Sequence, residues 1–135
     1  MTTHVIEKTL VLPHSREKVW DYLTKSDELA KWIHRTETDL SDNDGFSMPR
    51  EDGDPLCWGE VQEMSPPERL TYSFTARPMN GLMTTVTWEL EAIETGTRLR
   101  MVHTGIPAGA EAFGLLTAFD KGWDGHFVRL RADLD

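Results

Sequence analysis

Between Leu116 and Leu134 large apolar residues recur at steps of three and four: Leu116, Phe119, Trp123, Phe127, Leu130 and Leu134. At 3.6 residues per turn these positions fall within one narrow stripe of a helix. Such a stripe cannot face water, so a concave surface has to cover it. The rest of the chain therefore has to build that surface, and the order of its segments indicates how.

Val5 to Leu12 is rich in β-branched and aliphatic residues and ends at Pro13, which predicts a strand. Ser15 is placed to cap a helix that carries Val19, Trp20 and Leu23 on one face. Ser26 opens a second short helix. Its first turn holds Asp27 and Glu28, which complement the helix dipole, and Leu29, Trp32 and Ile33 form its apolar side.

From Arg35 to Thr104 the signals are those of successive hairpins. Asp44-Gly45, Asp52-Gly53, Asn80-Gly81 and Glu94-Thr95-Gly96-Thr97 are the turns, with Asn80-Gly81 the strongest short hairpin signal. Between them, inner rows of Leu70, Tyr72, Phe74 and Ala76, then Val86, Trp88, Leu90 and Ala92, then Leu99, Met101 and His103 alternate with polar outer residues. One-sided alternation is the mark of an antiparallel sheet covered on a single face. Ile106 to Gly114, with Pro107, Gly109 and Gly114 among small residues, predicts a loop leading into the last helix. The expected order is a strand, two short helices, about six strands and one long helix, an α+β domain spanning residues 1–135.

Charge narrows the partners. A net charge of −9 disfavours nucleic acid and anionic membrane, which both require clustered Lys and Arg. Cys57 is the only cysteine, so neither an internal disulfide nor a thiolate cluster forms, in keeping with a reducing cytoplasm. No basic start followed by an apolar run is present, and no apolar segment approaches the roughly 20 residues of a membrane span. The expectation is a soluble, cytoplasmic domain.

Several of these segments resemble a known family. Glu17-Lys18-Val19-Trp20 and Leu29 to Trp32 are similar to the tandem helices of START-like (SRPBCC, helix-grip) proteins. Gly59-Glu60-Val61 and Pro66-Pro67-Glu68-Arg69-Leu70 resemble the branch named for activator of heat-shock-protein ATPase homologues. Thr97-Arg98-Leu99 resembles its last strand, and Gly122-Trp123 with Phe127, Leu130 and Leu134 its terminal helix. The resemblance runs over nearly the whole chain. It implies a helix-grip fold, β-α-α-β(6)-α, in which a curved seven-stranded antiparallel sheet wraps the C-terminal helix over an apolar cavity, as in the birch-pollen allergen type. The superfamily includes lipid carriers, plant-hormone receptors and polyketide cyclases, and chaperone activators carry an additional docking domain.

The ligand-binding candidates are Tyr72, Phe74, Trp88, Met101, His103, Phe119, Trp123 and His126, with the loop from Ile106 to Gly114 as a gate. Aromatic rings facing one another either fill a core or border a cavity with a few polar tips. His103 falls on the inner face. Its imidazole would either bond backbone or water at a strand end, anchor a ligand head group, or act as a general base. Two histidines without a third ligand make a poor metal site, and no catalytic residue, metal or cofactor is assigned. Asp42-Asn43-Asp44-Gly45 with Glu51 imitates a calcium loop, but its first ligand position would be Leu40, so a solvated hairpin is expected. Cys57 and Val61 share an inward parity with Glu63, which then sits at a strand end. Gly122 and Gly125 within the helix point to close approach of a neighbouring element, with space for a cavity beside Gly122 as the alternative.

The leading expectation is non-enzymatic binding of a small hydrophobic or amphipathic ligand. A chaperone partner, implied by the family resemblance, is second, and a cyclase, dehydratase or hydrolase using the same cavity is third. A cavity below about 300 Å³ would shift weight from ligand to protein partner. An exposed sheet edge leaves monomer and homodimer both open.

Overall fold

Ser15 starts the first helix by accepting the backbone N–H of Lys18 at 3.3 Å, filling one of the donors that a helix start leaves unpaired. In the computed structural model, which describes residues 3–49, 55–76, 82–107 and 113–134, this helix, α1 (Arg16–Thr24), follows strand β1 (Thr3–Leu12). A single turn of helix, α2 (Ser26–Leu29), comes next. Then follow β2 (Gly45–Pro49), β3 (Pro55–Ser65), β4 (Arg69–Ala76), β5 (Thr84–Ile93), β6 (Gly96–Pro107) and the long α3 (Phe113–Leu134).

All neighbouring strands pair antiparallel in one sheet of order β1-β6-β5-β4-β3-β2. The described residues hold six strands where seven were expected. After α2 the chain makes one bond toward β2, Glu37 N–H to Ser47 O at 3.2 Å, and then turns back, Leu40 N–H reaching Thr24 O at 2.8 Å. One bond followed by a turn cannot continue a ladder, so no further edge strand forms there.

Asp44-Gly45 also differs from expectation. It closes a turn, Asp44 N–H to Ser41 O at 3.1 Å with Asn43 at φ 62°, that leads into β2 and joins no two strands. Asp52-Gly53, Glu51 and Asn80-Gly81 lie outside the described residues, as do positions 108–112 of the expected gate. Its two flanks are ordered elements: Ile106 is buried in β6 and Gly114 lies in α3.

Two glycines are there because a neighbour leaves no room. A Cβ on Gly59 would stand 1.8 Å from Ser73 O, and one on Gly96, at φ +145°, would stand 2.1 Å from Leu12 O. A bulge between Val61 and Glu63 reverses the side-chain parity of β3. Glu63 therefore faces solvent and pairs with Arg69 at 3.2 Å, while Met64 packs against the core. Ala92, expected inside, is exposed two residues before the turn into β6.

The terminal stripe behaves as its spacing requires. Trp123, Phe127, Leu130 and Leu134 are buried, and Leu116 and Phe119 pack partly buried at its start. Polar contacts fix the middle and the C-terminal end of the helix. Lys8 of β1 reaches Asp120 and Asp124, each at 2.8 Å, and at the far end the Tyr22 hydroxyl donates to Asp133 and the His14 ring to Leu134 O. The opposite face of the sheet carries exposed ion pairs, Glu89 joining Arg69 and Arg100, which contribute little individually.

Candidate functional site

Where α3 crosses the inner face, the aromatic residues meet edge to face. Trp88 lies 5.5 Å from Trp123, 6.0 Å from Phe127 and 5.9 Å from Trp32, centroid to centroid. Offset and T-shaped contacts of this kind suit the ring quadrupoles and add to the apolar area buried. Trp88 is fully buried, and its indole N–H donates to the Tyr72 hydroxyl at 3.0 Å.

The strand register sets His103 beside Val86 and two residue pairs away from Thr84, on the same face. The hydroxyl of Thr84 donates to Phe74 O at 2.7 Å, so its oxygen accepts from His103 Nε2–H, also at 2.7 Å. His103 Nδ1 then accepts the indole N–H of Trp123 at 3.1 Å. The directions of these bonds assign the tautomer. Both ring nitrogens are committed, and the fully buried imidazole is held neutral, its pKa lowered to about 4 by desolvation.

His126 sits at the flank of the stripe. Arg129 donates through Nη2 to His126 Nδ1 and through Nε to Trp32 O at 3.1 Å. A guanidinium has only donors, so Nδ1 is the acceptor and the ring hydrogen is on Nε2. Trp32 O also lies 3.1 Å from Nδ1, but treating that approach as a bond would set an imidazole hydrogen against one of Arg129. Desolvation first, and then the Arg129 charge, lower the His126 pKa to about 4.

Beside these residues is a crevice of about 130 Å³. The sheet contributes Met48, Cys57, Tyr72 and Phe74 to its wall. The helix contributes Ala118, Phe119, Gly122, Trp123 and His126, and the turn after α2 contributes Ile33 and His34. Of the residues singled out from sequence, Tyr72, Phe74, Phe119, Trp123 and His126 thus border one space. Trp88, Met101 and His103, each fully buried, are packed in the core and do not border it.

The helix glycines are explained differently from expectation. A Cβ on Gly122 meets nothing within 4 Å, and one on Gly125 meets only the end of the flexible Arg129 side chain at 3.7 Å. No neighbouring backbone needs either glycine. At Gly122 the missing side chain leaves space on the crevice wall.

Met48 and His34 were not foreseen. Phe46 and Met48 alternate with Ser47 in a five-residue edge strand, too short a run to stand out, and His34 lies in a turn without periodicity. Cys57 is buried, donates its S–H to Met48 Sδ at 3.2 Å, and is pushed up to about 12 by burial, so it is an inert wall residue. Among the described residues no group of three or more His, Cys, Asp or Glu could hold a metal ion, and no helix is long and apolar enough to cross a membrane.

The same architecture recurs in solved structures. Protein MLL2253 from Mesorhizobium loti is 25% identical, with 97% of this chain and 95% of that one covered at a TM-score of 0.78. Protein BH1534 from Bacillus halodurans is 24% identical, with both chains covered completely and a TM-score of 0.78. The Aha1 dimer from Colwellia psychrerythraea is 19% identical, covering 97% of this chain and 96% of that one at a TM-score of 0.80. No curated protein matches. The family described as activator of Hsp90 ATPase homolog 1-like protein matches residues 13–135, nearly the whole chain. Sheet order, terminal helix and family match agree: the chain belongs to the activator of Hsp90 ATPase homolog 1-like family of the START-like (SRPBCC) superfamily.

Proposed function

We propose that this chain is a non-enzymatic binding module for a small, mostly apolar molecule, held between β4 and the first half of α3. The crevice bordered by Tyr72, Phe74, Phe119 and Trp123 carries the reading. Its volume of about 130 Å³ sets the size of the occupant. An apolar void of roughly 150 Å³ takes up benzene, whereas drug-sized ligands need about 300 Å³ or more. A single ring or a short chain fits, and a bulky lipid does not unless side chains move. Commitment of both His103 nitrogens supports binding over proton transfer, because no lone pair is left to act as a base.

Gly122 supplies the test. Gly122→Leu adds a side chain where a Cβ is unobstructed and replaces a poor helix former, so stability is expected to rise by up to about 1 kcal/mol. The same side chain narrows the crevice. Ligand-observed NMR titration with benzene is expected to show saturable binding to the wild type and at least tenfold weaker binding to the variant. Equal benzene binding by both proteins, or none by either, refutes ligand entry at this place.

A protein partner is the second reading. The name of the matched family supports it, as does a cavity smaller than the usual ligand range. A change in the ATPase rate of an Hsp90-type chaperone on adding this protein would favour it, and an unchanged rate would remove it.

A further inference from the structure

The hydrogen bonds around the crevice are unevenly spent. The Tyr72 oxygen accepts from Trp88 Nε1–H, but among the described residues its own O–H donates to nothing. The residue is only 5% exposed, so that hydrogen is largely removed from bulk water. A buried donor without an acceptor is costly and rare. His126, with Nδ1 occupied by Arg129, presents only an Nε2–H. Cys57 spends its S–H on Met48. His34, at the rim, gives Nδ1–H to Arg35 O at 2.9 Å and keeps an Nε2 lone pair. The unspent capacity inside the crevice is therefore of the donating kind.

We propose that the crevice selects an uncharged ligand bearing an acceptor oxygen, a ketone or comparable carbonyl on an apolar body, whose oxygen takes the Tyr72 hydroxyl hydrogen. The inference rests on the ligand-binding reading above and specifies its chemistry. An alcohol or amine would bring a donor to a wall that already has one too many. A carboxylate would have to shed its water among neutral groups, because the nearby Arg129 charge is turned to His126 Nδ1 and Trp32 O. A neutral carbonyl sheds far less hydration than a carboxylate, and it regains a hydrogen bond by accepting the orphaned hydrogen.

Cyclohexanone and methylenecyclohexane differ only in =O against =CH₂ and are close to benzene in size, so they form the probe pair. Ligand-observed NMR on the wild-type protein is expected to show the ketone binding about tenfold tighter than the alkene, the equivalent of one net hydrogen bond. The carbonyl stretch of bound cyclohexanone should move to lower frequency, a readout that needs no variant. Tyr72→Phe keeps the ring and is expected to erase both the preference and the shift. Equal binding of ketone and alkene by the wild type overturns the carbonyl inference and leaves the crevice as an apolar site. Cyclohexanecarboxylate binding as tightly as the ketone overturns the requirement for an uncharged ligand. Binding of none of the three overturns the ligand-binding reading itself, and this inference with it.

Discussion

Trp88→Ala is expected to destabilise the domain by about 4 kcal/mol, toward the upper end for a buried aromatic truncation. Trp88 has no exposed surface and touches rings from three directions, Trp32 after α2 and Trp123 and Phe127 on α3. The gap cannot be closed by one neighbour, because each is fixed elsewhere. The Trp32 indole N–H donates to Tyr22 O at 2.8 Å, and the Trp123 indole is held by His103. Domains of this kind have roughly 5–15 kcal/mol in total, so the loss takes most of a modest reserve. Urea unfolding followed by circular dichroism measures it. Trp88→Phe, which keeps a ring in place, should lose less than half as much. A loss under 1 kcal/mol for the alanine variant would mean that α3 is not held by this cluster.

Acid is expected to act on the same region through His103. Its folded pKa, lowered to about 4, lies below the unfolded value of 6.5, so the unfolded chain binds the proton first. The sign follows directly. The stability tied to the neutral ring is fully present above pH 6.5 and is lost as the pH falls toward 4. At 1.36 kcal/mol per unit the full loss is about 3 kcal/mol. His126, lowered to about 4 as well, acts in the same direction. Urea midpoints measured between pH 7.5 and 4.5 should fall steeply for the wild type. His103→Leu should start lower, because the Trp123 N–H loses its acceptor, and then fall less steeply. Parallel pH profiles for the two proteins would show that His103 does not carry the dependence.

Much of the fold is legible in the sequence for a simple reason: burial on one face imposes a period. Leu116 to Leu134 and the rows of β4, β5 and β6 keep that period over several residues, so both their type and their inner face follow from it. Irregularities break the period and stay hidden. Glu63 changes face because one bulge in β3 shifts parity, and no local residue pattern announces a bulge. The expected seventh strand is absent among the described residues because two backbone bonds, at Glu37 and Leu40, divert the chain. The site was half legible. Tyr72, Phe74, Phe119 and Trp123 were reached by parity and stripe, whereas Met48 and His34 come from a short edge strand and a turn. Whether an inward residue fills the core or borders a space depends on its neighbours' volumes, which periodicity does not encode. Trp88 and Tyr72 show this: they share a face and a hydrogen bond, yet only Tyr72 borders the crevice.

Benzene titrated into protein labelled at the methionine and valine methyl groups and aromatic rings offers the most direct measurement. Saturable shifts are expected at Met48, Phe119 and Trp123, around the crevice, with Val128 on the exposed side of α3 unmoved. Shifts that never saturate, or that appear at Val128 while Met48 stays still, would contradict ligand entry between sheet and helix.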